Sequence, residues 1–209
     1  MRREFGATSF GMHPGAAPLH ELYDRLLAIG RVRGAVVAWR AGVAHDFAAF
    51  AARVADWAAA FANIDGVRVA LYFDDSAEFA AALFGAWHAG KEAVLPADAL
   101  PGTWHRLLGL VSASASDAGV VQGLPRVQPT ASAPAPAVWP ELDPQRIAVH
   151  VFTSGSTGVP ELIPKRLAQL AAEVRALEDC FATRIGRGCV HASVSHQHMY
   201  GLPFLVLWP

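Results

Sequence analysis

The sequence predicts an α/β fold with a mainly parallel sheet flanked by helices. Two observations carry that expectation. Short apolar runs of strand length, at 67–73, 93–95 and 147–152, alternate with longer segments of helical period. Glycine, proline and aspartate sit at the changeovers, as Asp46, Gly66, Asp75, Gly90 and Pro101. Hydrophobic residues make up 53% and charged residues 17% of the 209 positions, enough to build a core and too apolar for wholesale disorder.

Leu19 to Ile29 reads as a first helix, with Leu22, Leu26 and Ile29 on one face. Gly34 to Trp39 reads as a short strand. Asp46 is an N-cap candidate. Behind it Phe47, Phe50, Val54, Trp57 and Phe61 recur at spacings of three and four, one apolar stripe that belongs in a core. Gly66 ends that region, and Val67 to Phe73 follows as a strand. Asp74, Asp75 and Ser76 cap a helix carrying Phe79, Leu83, Ala86 and Trp87. Gly90 stops it, and Ala93 to Leu95 is the next strand. Pro101 opens a further helix at a position where proline is tolerated, with Leu107, Leu108 and Val111 as its apolar face. Val120 and Val121 are expected in the strand after it. Residues 124–144 hold Pro125, Pro129, Pro134, Pro136, Pro140 and Pro144, so they read as an exposed connection within one unit.

The charge balance is 17 basic against 18 acidic side chains, a formal net charge of -1. It argues against a nucleic-acid partner or a polybasic membrane contact and leaves small molecules or other proteins. Cys180 and Cys189 form no CxxC pair and read as ordinary thiols of a reducing cytoplasm. Arg2 and Arg3 precede no apolar segment of the kind an export signal needs. No stretch approaches the roughly 18 apolar residues of a membrane span. Tyr200 to Pro209 is apolar to its end, so Phe204, Leu205, Leu207 and Trp208 are expected to need a partner surface: a continuation of the chain or a second polypeptide.

The chemistry is expected after the strand 147–152. Thr153-Ser154-Gly155-Ser156-Thr157-Gly158-Val159-Pro160 follows it directly, and the period of Leu167, Leu170, Ala171, Val174, Leu177 and Phe181 marks a helix beyond. Glycines let backbone N–H groups approach an anion, and four hydroxyls add donors. A helix N-terminus close to the loop would add favourable potential, with Lys165 in its first turn as a mobile positive charge. Together these suit a polyphosphate. A Walker-type loop would end in Gly-Lys-Ser/Thr, whereas Gly158 is followed by Val159-Pro160.

Thr153 to Pro160 resembles the phosphate-loop signature of the adenylate-forming (AMP-binding) superfamily, which includes acyl-CoA synthetases, aryl-acid ligases, luciferases and nonribosomal adenylation domains. His198-Met199-Tyr200-Gly201-Leu202 resembles the family's later motif of a histidine followed by an aromatic residue and glycine, which borders the acid pocket. Segments 66–71, 76–79 and 86–90 resemble the N-terminal pattern that builds sheet and helices. The resemblance covers residues 1–209 as a partial N-terminal AMP-binding domain, without the small C-terminal domain. It implies a ligase that joins a carboxylic acid to the α-phosphate of Mg2+-bound ATP, releases pyrophosphate, and passes the acyl group to CoA or to phosphopantetheine on an acyl carrier protein. A fatty-acid-like or aryl-polyene subgroup is the narrower expectation.

By this resemblance Thr153, Ser154, Gly155, Ser156, Thr157 and Gly158 hold ATP phosphates, and His198, Tyr200 and Gly201 line the acid pocket. The family places lysine after the loop proline. Here Glu161 stands there, and Lys165 is the displaced candidate. No catalytic residue is otherwise assigned. The alternatives are a non-catalytic remnant, or a subunit that docks through its apolar C-terminal end.

His191, His196 and His198 have metal-ligand chemistry, and on a strand the last two would share a side. No carboxylate or cysteine within the cluster completes a site, so His198 reads as a pocket residue and no metal is assigned. Asp74 and Asp75 read as caps rather than an acid–base pair. Glu173 and Glu178 read as solvated, and Trp57 and Trp87 as core.

Overall fold

The computed structural model of the protein describes residues 36–40, 43–117, 123–129, 134–136, 139–153, 161–185 and 193–208. The expected first helix at Leu19 to Ile29 lies outside them, as do Val120 and Val121.

β1 (Val36–Arg40) and β2 (Val43–Asp46) form an antiparallel hairpin ahead of the main body. Asp46 then caps α1 (Phe47–Ala62), its carboxylate accepting the Ala49 N–H at 2.8 Å. Val54, Trp57 and Phe61 of the expected stripe are buried, and Phe47 and Phe50 pack at its margin. β3 (Arg68–Tyr72) leads to Asp75, which caps α2 (Ser76–His88) by accepting the Glu78 N–H at 2.8 Å. α1 and α2 approach closely at Gly85, where an added Cβ would sit 2.9 Å from the Ala58 backbone nitrogen. Beside that crossing, Glu78 Oε1 accepts Arg53 Nη2 at 2.6 Å and Trp57 Nε1 at 2.8 Å.

β4 (Glu92–Leu95), α3 (Pro101–Leu107), β5 (Ala113–Ser116), β6 (Ile147–Thr153), β7 (Glu161–Arg166) and α4 (Leu167–Ile185) complete the body, followed by a π-helical turn, Pro203–Leu207. The sheet runs β5-β3-β4-β6-β7. Its first four strands are parallel, and β7 is antiparallel to β6. Alternation along the strands sends Val69, Leu71, Ala93 and Leu95 into the main core beneath α1, α2 and α4. Ala70 and Val94 point the other way, against Trp104 and Leu107 of α3.

Several sequence expectations are corrected here. The strand after α3 is Ala113–Ser116, in parallel register with β3 from Val69↔Ala113 to Tyr72↔Ser116. All four of its residues are buried although none is large, so it has no hydropathy signature. α3 stops at Leu107, leaving Leu108 exposed. The proline-rich connection is anchored rather than simply exposed. Leu124, Val127, Trp139 and Leu142 are buried, and Ser114 exchanges backbone bonds with Pro125 and Val127 along the outer edge of β5. The chain itself covers part of the apolar C-terminal segment, while Tyr200 is exposed and Phe204, Leu205 and Val206 are half-buried. Leu207 is 1% exposed, Trp208 is 9% exposed, and Phe181 of α4 packs on Phe204 and Trp208. Glu178 is exposed as expected and also accepts the Trp208 indole N–H at 2.7 Å.

Candidate functional site

β6 is an interior strand between β4 and β7, and its carboxyl end is Thr153. Ser154, Gly155, Ser156, Thr157 and Gly158 lie outside the described residues. The described residues on either side of 154–160 pair with each other, Thr153 of β6 with Glu161 of β7.

This corrects the expected strand–loop–helix order. Residues 161–166 pair with β6 as an edge strand, where Pro164 is tolerated because one side of the strand needs no partner. α4 therefore begins at the opposite end of the hairpin. Its Leu167 and Ala168 amides bond to the carbonyls of Arg146 and Pro144, at the amino end of β6. Six strand residues separate that helix terminus from Thr153, about 20 Å, too far for its dipole to act on the loop.

Lys165 moves with β7. It lies opposite Val149, four residues back from Thr153 and about 13 Å along the hairpin from the loop. It lines a small cleft of about 70 Å³ with Gln169, Glu173, Met199 and Leu202. The lysine thus stands beside the second sequence motif rather than in a helical turn under the loop.

That second motif is held by β3. Phe73, just past the carboxyl end of β3, donates its N–H to Gln197 Oε1 at 2.9 Å and accepts Gln197 Nε2 at 2.8 Å. His196 Nε2 lies 3.0 Å from the same carbonyl, which only accepts, so this nitrogen carries the proton. The His196 ring packs on Phe79 at 5.0 Å. Burial pushes the His196 pKa down, opposed by the Phe73 bond and by Asp75, Asp117 and Asp74. Because β3 and β6 are parallel and separated only by β4, Phe73, which anchors this turn, and Thr153 both stand at the carboxyl edge of the sheet.

His198 and Tyr200 are exposed, and their rings stack at 5.7 Å. Gly201 is buried against the Ser195 carbonyl, which a Cβ would strike. His196 and His198 therefore do not share a strand face: they sit in a turn, one ring inside and one outside. His191 lies outside the described residues. Among the described residues no group of three His, Cys, Asp or Glu side chains could hold a metal ion.

The acidic residues of this edge are committed elsewhere. Asp75 caps α2, and Asp117 accepts the N–H groups of Asp74 and Asp75 at 2.8 and 3.2 Å. A larger hollow of about 350 Å³ beside Arg68, Glu92 and Ser112 lies at the amino ends of β3 and β4, away from the loop. There Glu92 is occupied by His150 Nε2 at 2.7 Å. Sequence reasoning missed Gln197 as a site-building residue. A single glutamine between two histidines carries no pattern, and its partner is 124 positions away.

Solved structures share this architecture. VinN superimposes with a TM-score of 0.69 at 19% identity over 90% of the chain. The Bacillus subtilis o-succinylbenzoate coenzyme A synthetase MenE, in complex with AMP, gives 0.61 at 16% over 85%. The Klebsiella oxytoca NpsA N-terminal subdomain, bound to 3-hydroxybenzoyl-AMSN, gives 0.58 at 19% over 70%. The chain has the fold of the N-terminal portion of adenylate-forming enzymes. It spans 56% of the VinN chain, 51% of MenE and 40% of the NpsA subdomain. No family model and no curated protein matches the sequence. The fold brings Thr153, which opens the first motif, and the anchor of the second motif to the carboxyl edge of one sheet, where open α/β sheets bind ligands. No helix among the described residues is long and apolar enough to cross a membrane.

Proposed function

We propose that the chain supplies the phosphate-holding and acid-facing part of a centre that activates a carboxylic acid as its acyl-adenylate with ATP. One coincidence carries the reading: a hydroxyl- and glycine-rich segment, Thr153 to Gly158, leaves the carboxyl edge of β6 in a chain with the adenylate-forming fold. Four hydroxyls and the N–H groups of a glycine-rich segment are the donor set a β,γ-diphosphate needs, and they would stabilise charge on departing pyrophosphate. Asp74, Asp98 and Asp117 gather around Tyr72 of β3, where together with burial they raise its pKa. The carboxylate beside Thr153 is that of Glu161.

His198, Tyr200 and Gly201 are assigned to the acid. Gly201 permits the tight turn, and the exposed imidazole and phenol offer a stacked polar wall. Lys165 joins this side by its place in the cleft beside Met199 and Leu202. It lies opposite Val149, about 13 Å along the strand from Thr153. The bound molecules in the MenE and NpsA structures, AMP and 3-hydroxybenzoyl-AMSN, support a nucleotide and an acid as the ligand classes. Mg2+ is proposed by family likeness as the counter-ion of the ATP phosphates, which with water supply most of its ligands. CoA or a carrier-protein phosphopantetheine remains the proposed acceptor by family likeness.

The test is exchange of radiolabelled pyrophosphate into ATP, measured with a panel of aromatic, straight-chain and dicarboxylic acids. Acid-dependent exchange supports the reading. Exchange absent with every acid, in a preparation that binds pyrophosphate, removes the adenylation step from it.

A further inference from the structure

The His198–Gly201 turn is attached to the sheet through two adjacent buried side chains, His196 and Gln197. Gln197 is 7% exposed, and its amide repeats on Phe73 the paired N–H and C=O bonds of a strand neighbour, at 2.9 and 2.8 Å. His196 adds a third bond to the Phe73 carbonyl at 3.0 Å. From this anchor the turn continues through His198 N–H to Ser195 O at 3.0 Å and Leu202 N–H to His198 O at 2.9 Å. Leu202 and Met199 then reach the cleft that Lys165 lines. Phe73 itself sits between β3 and the Asp75 cap of α2.

We propose that Gln197 is the positioning residue of the acid side of the site: its amide fixes the height of the 198–201 turn relative to the carboxyl edge of the sheet. This rests on the adenylation reading for its functional consequence, and on hydrogen bonding alone for its structural part. The amide is suited to the task because it donates and accepts in one plane, as a backbone peptide does. A methionine fills the same space and does neither. A glutamate keeps the acceptor but loses the donor, and buries a charge against a carbonyl.

The experiment compares wild type with Gln197→Met and Gln197→Glu. Backbone hydrogen exchange is read in the whole chain, with α1 amides as the internal reference. The Phe73 amide and those of residues 198–202 are expected to exchange about tenfold faster in Gln197→Met, with α1 unchanged. Unchanged exchange in the turn overturns the clamp, whether or not any activity is found. In acid-dependent pyrophosphate exchange, the same variant is expected to raise the KM for the acid about fivefold, leaving the KM for ATP and kcat at saturating acid near wild type. A fall in kcat with the acid KM unchanged overturns the positioning role. A wild-type chain that shows the exchange protection but no activity with any acid counts against the adenylation reading and supports the clamp.

Discussion

Trp87 Nε1 donates to the Ala148 carbonyl at 2.9 Å, a bond from α2 into β6. It lands where the β6–β7 register shifts, between Ile147 and Val149. Trp87 is fully buried, so the carbonyl has no water to fall back on. α2 thereby sets the position of the strand that leads to the hydroxyl-rich segment. Trp87→Phe keeps most of the packing and deletes the donor. It is expected to cost about 1–3 kcal/mol of unfolding free energy by urea titration.

The contact between α1 and α2 leaves no room at Gly85. A methyl there would meet Trp57 Cβ at 2.5 Å and the Val54 carbonyl at 3.0 Å, and backbone cannot move aside cheaply. Gly85→Ala, which would stabilise an open helix, is expected here to destabilise by about 1–3 kcal/mol. A raised thermal midpoint would contradict the packing described.

Those two helices were legible in the sequence because their caps and stripes are local: Asp46 and Asp75 are read within four residues of what they cap. β7 was not. Its residues Leu162 to Lys165 run without a strand period, and Pro164 looks like a helix opener until β6 is seen to pair with it. β5 failed for another reason. Ala-Ser-Ala-Ser is buried by neighbours on both faces and along its edge, and none of that is encoded in hydropathy. The candidate site divides the same way. Its motifs are short and were recognisable, but Lys165 lies beside Met199 only because the hairpin turns back. The Glu178–Trp208 bond likewise joins residues 30 positions apart.

Lys165 separates two assignments. In pyrophosphate exchange, Lys165→Met is expected to raise the KM for the acid about tenfold and to leave the KM for ATP within about twofold. The reverse pattern would return the lysine to the phosphates and contradict the β6–β7 register.

His88 gives the protein an acid-side weakness. Among the described residues neither ring nitrogen has a hydrogen-bond partner, Trp139 packs on the ring at 4.5 Å, and Arg146 stands nearby. Burial, then the Arg146 charge, lowers its pKa from 6.5 to about 4. The unfolded chain therefore binds the proton first as pH falls. Stability is full above pH 6.5 and declines toward pH 4. His196, also lowered by burial, acts in the same direction. The urea midpoint is expected to fall across that window, and His88→Phe to flatten the fall. An equal pH slope in the variant would show that His88 does not titrate as described.

Calorimetric titration of inorganic pyrophosphate into the chain, beside Thr157→Ala, tests the central claim most directly. Wild type is expected to bind, and the variant to bind about tenfold more weakly with an unchanged thermal midpoint. Equal binding by both proteins, or none by either, would contradict the assignment of residues 153–158 to phosphate.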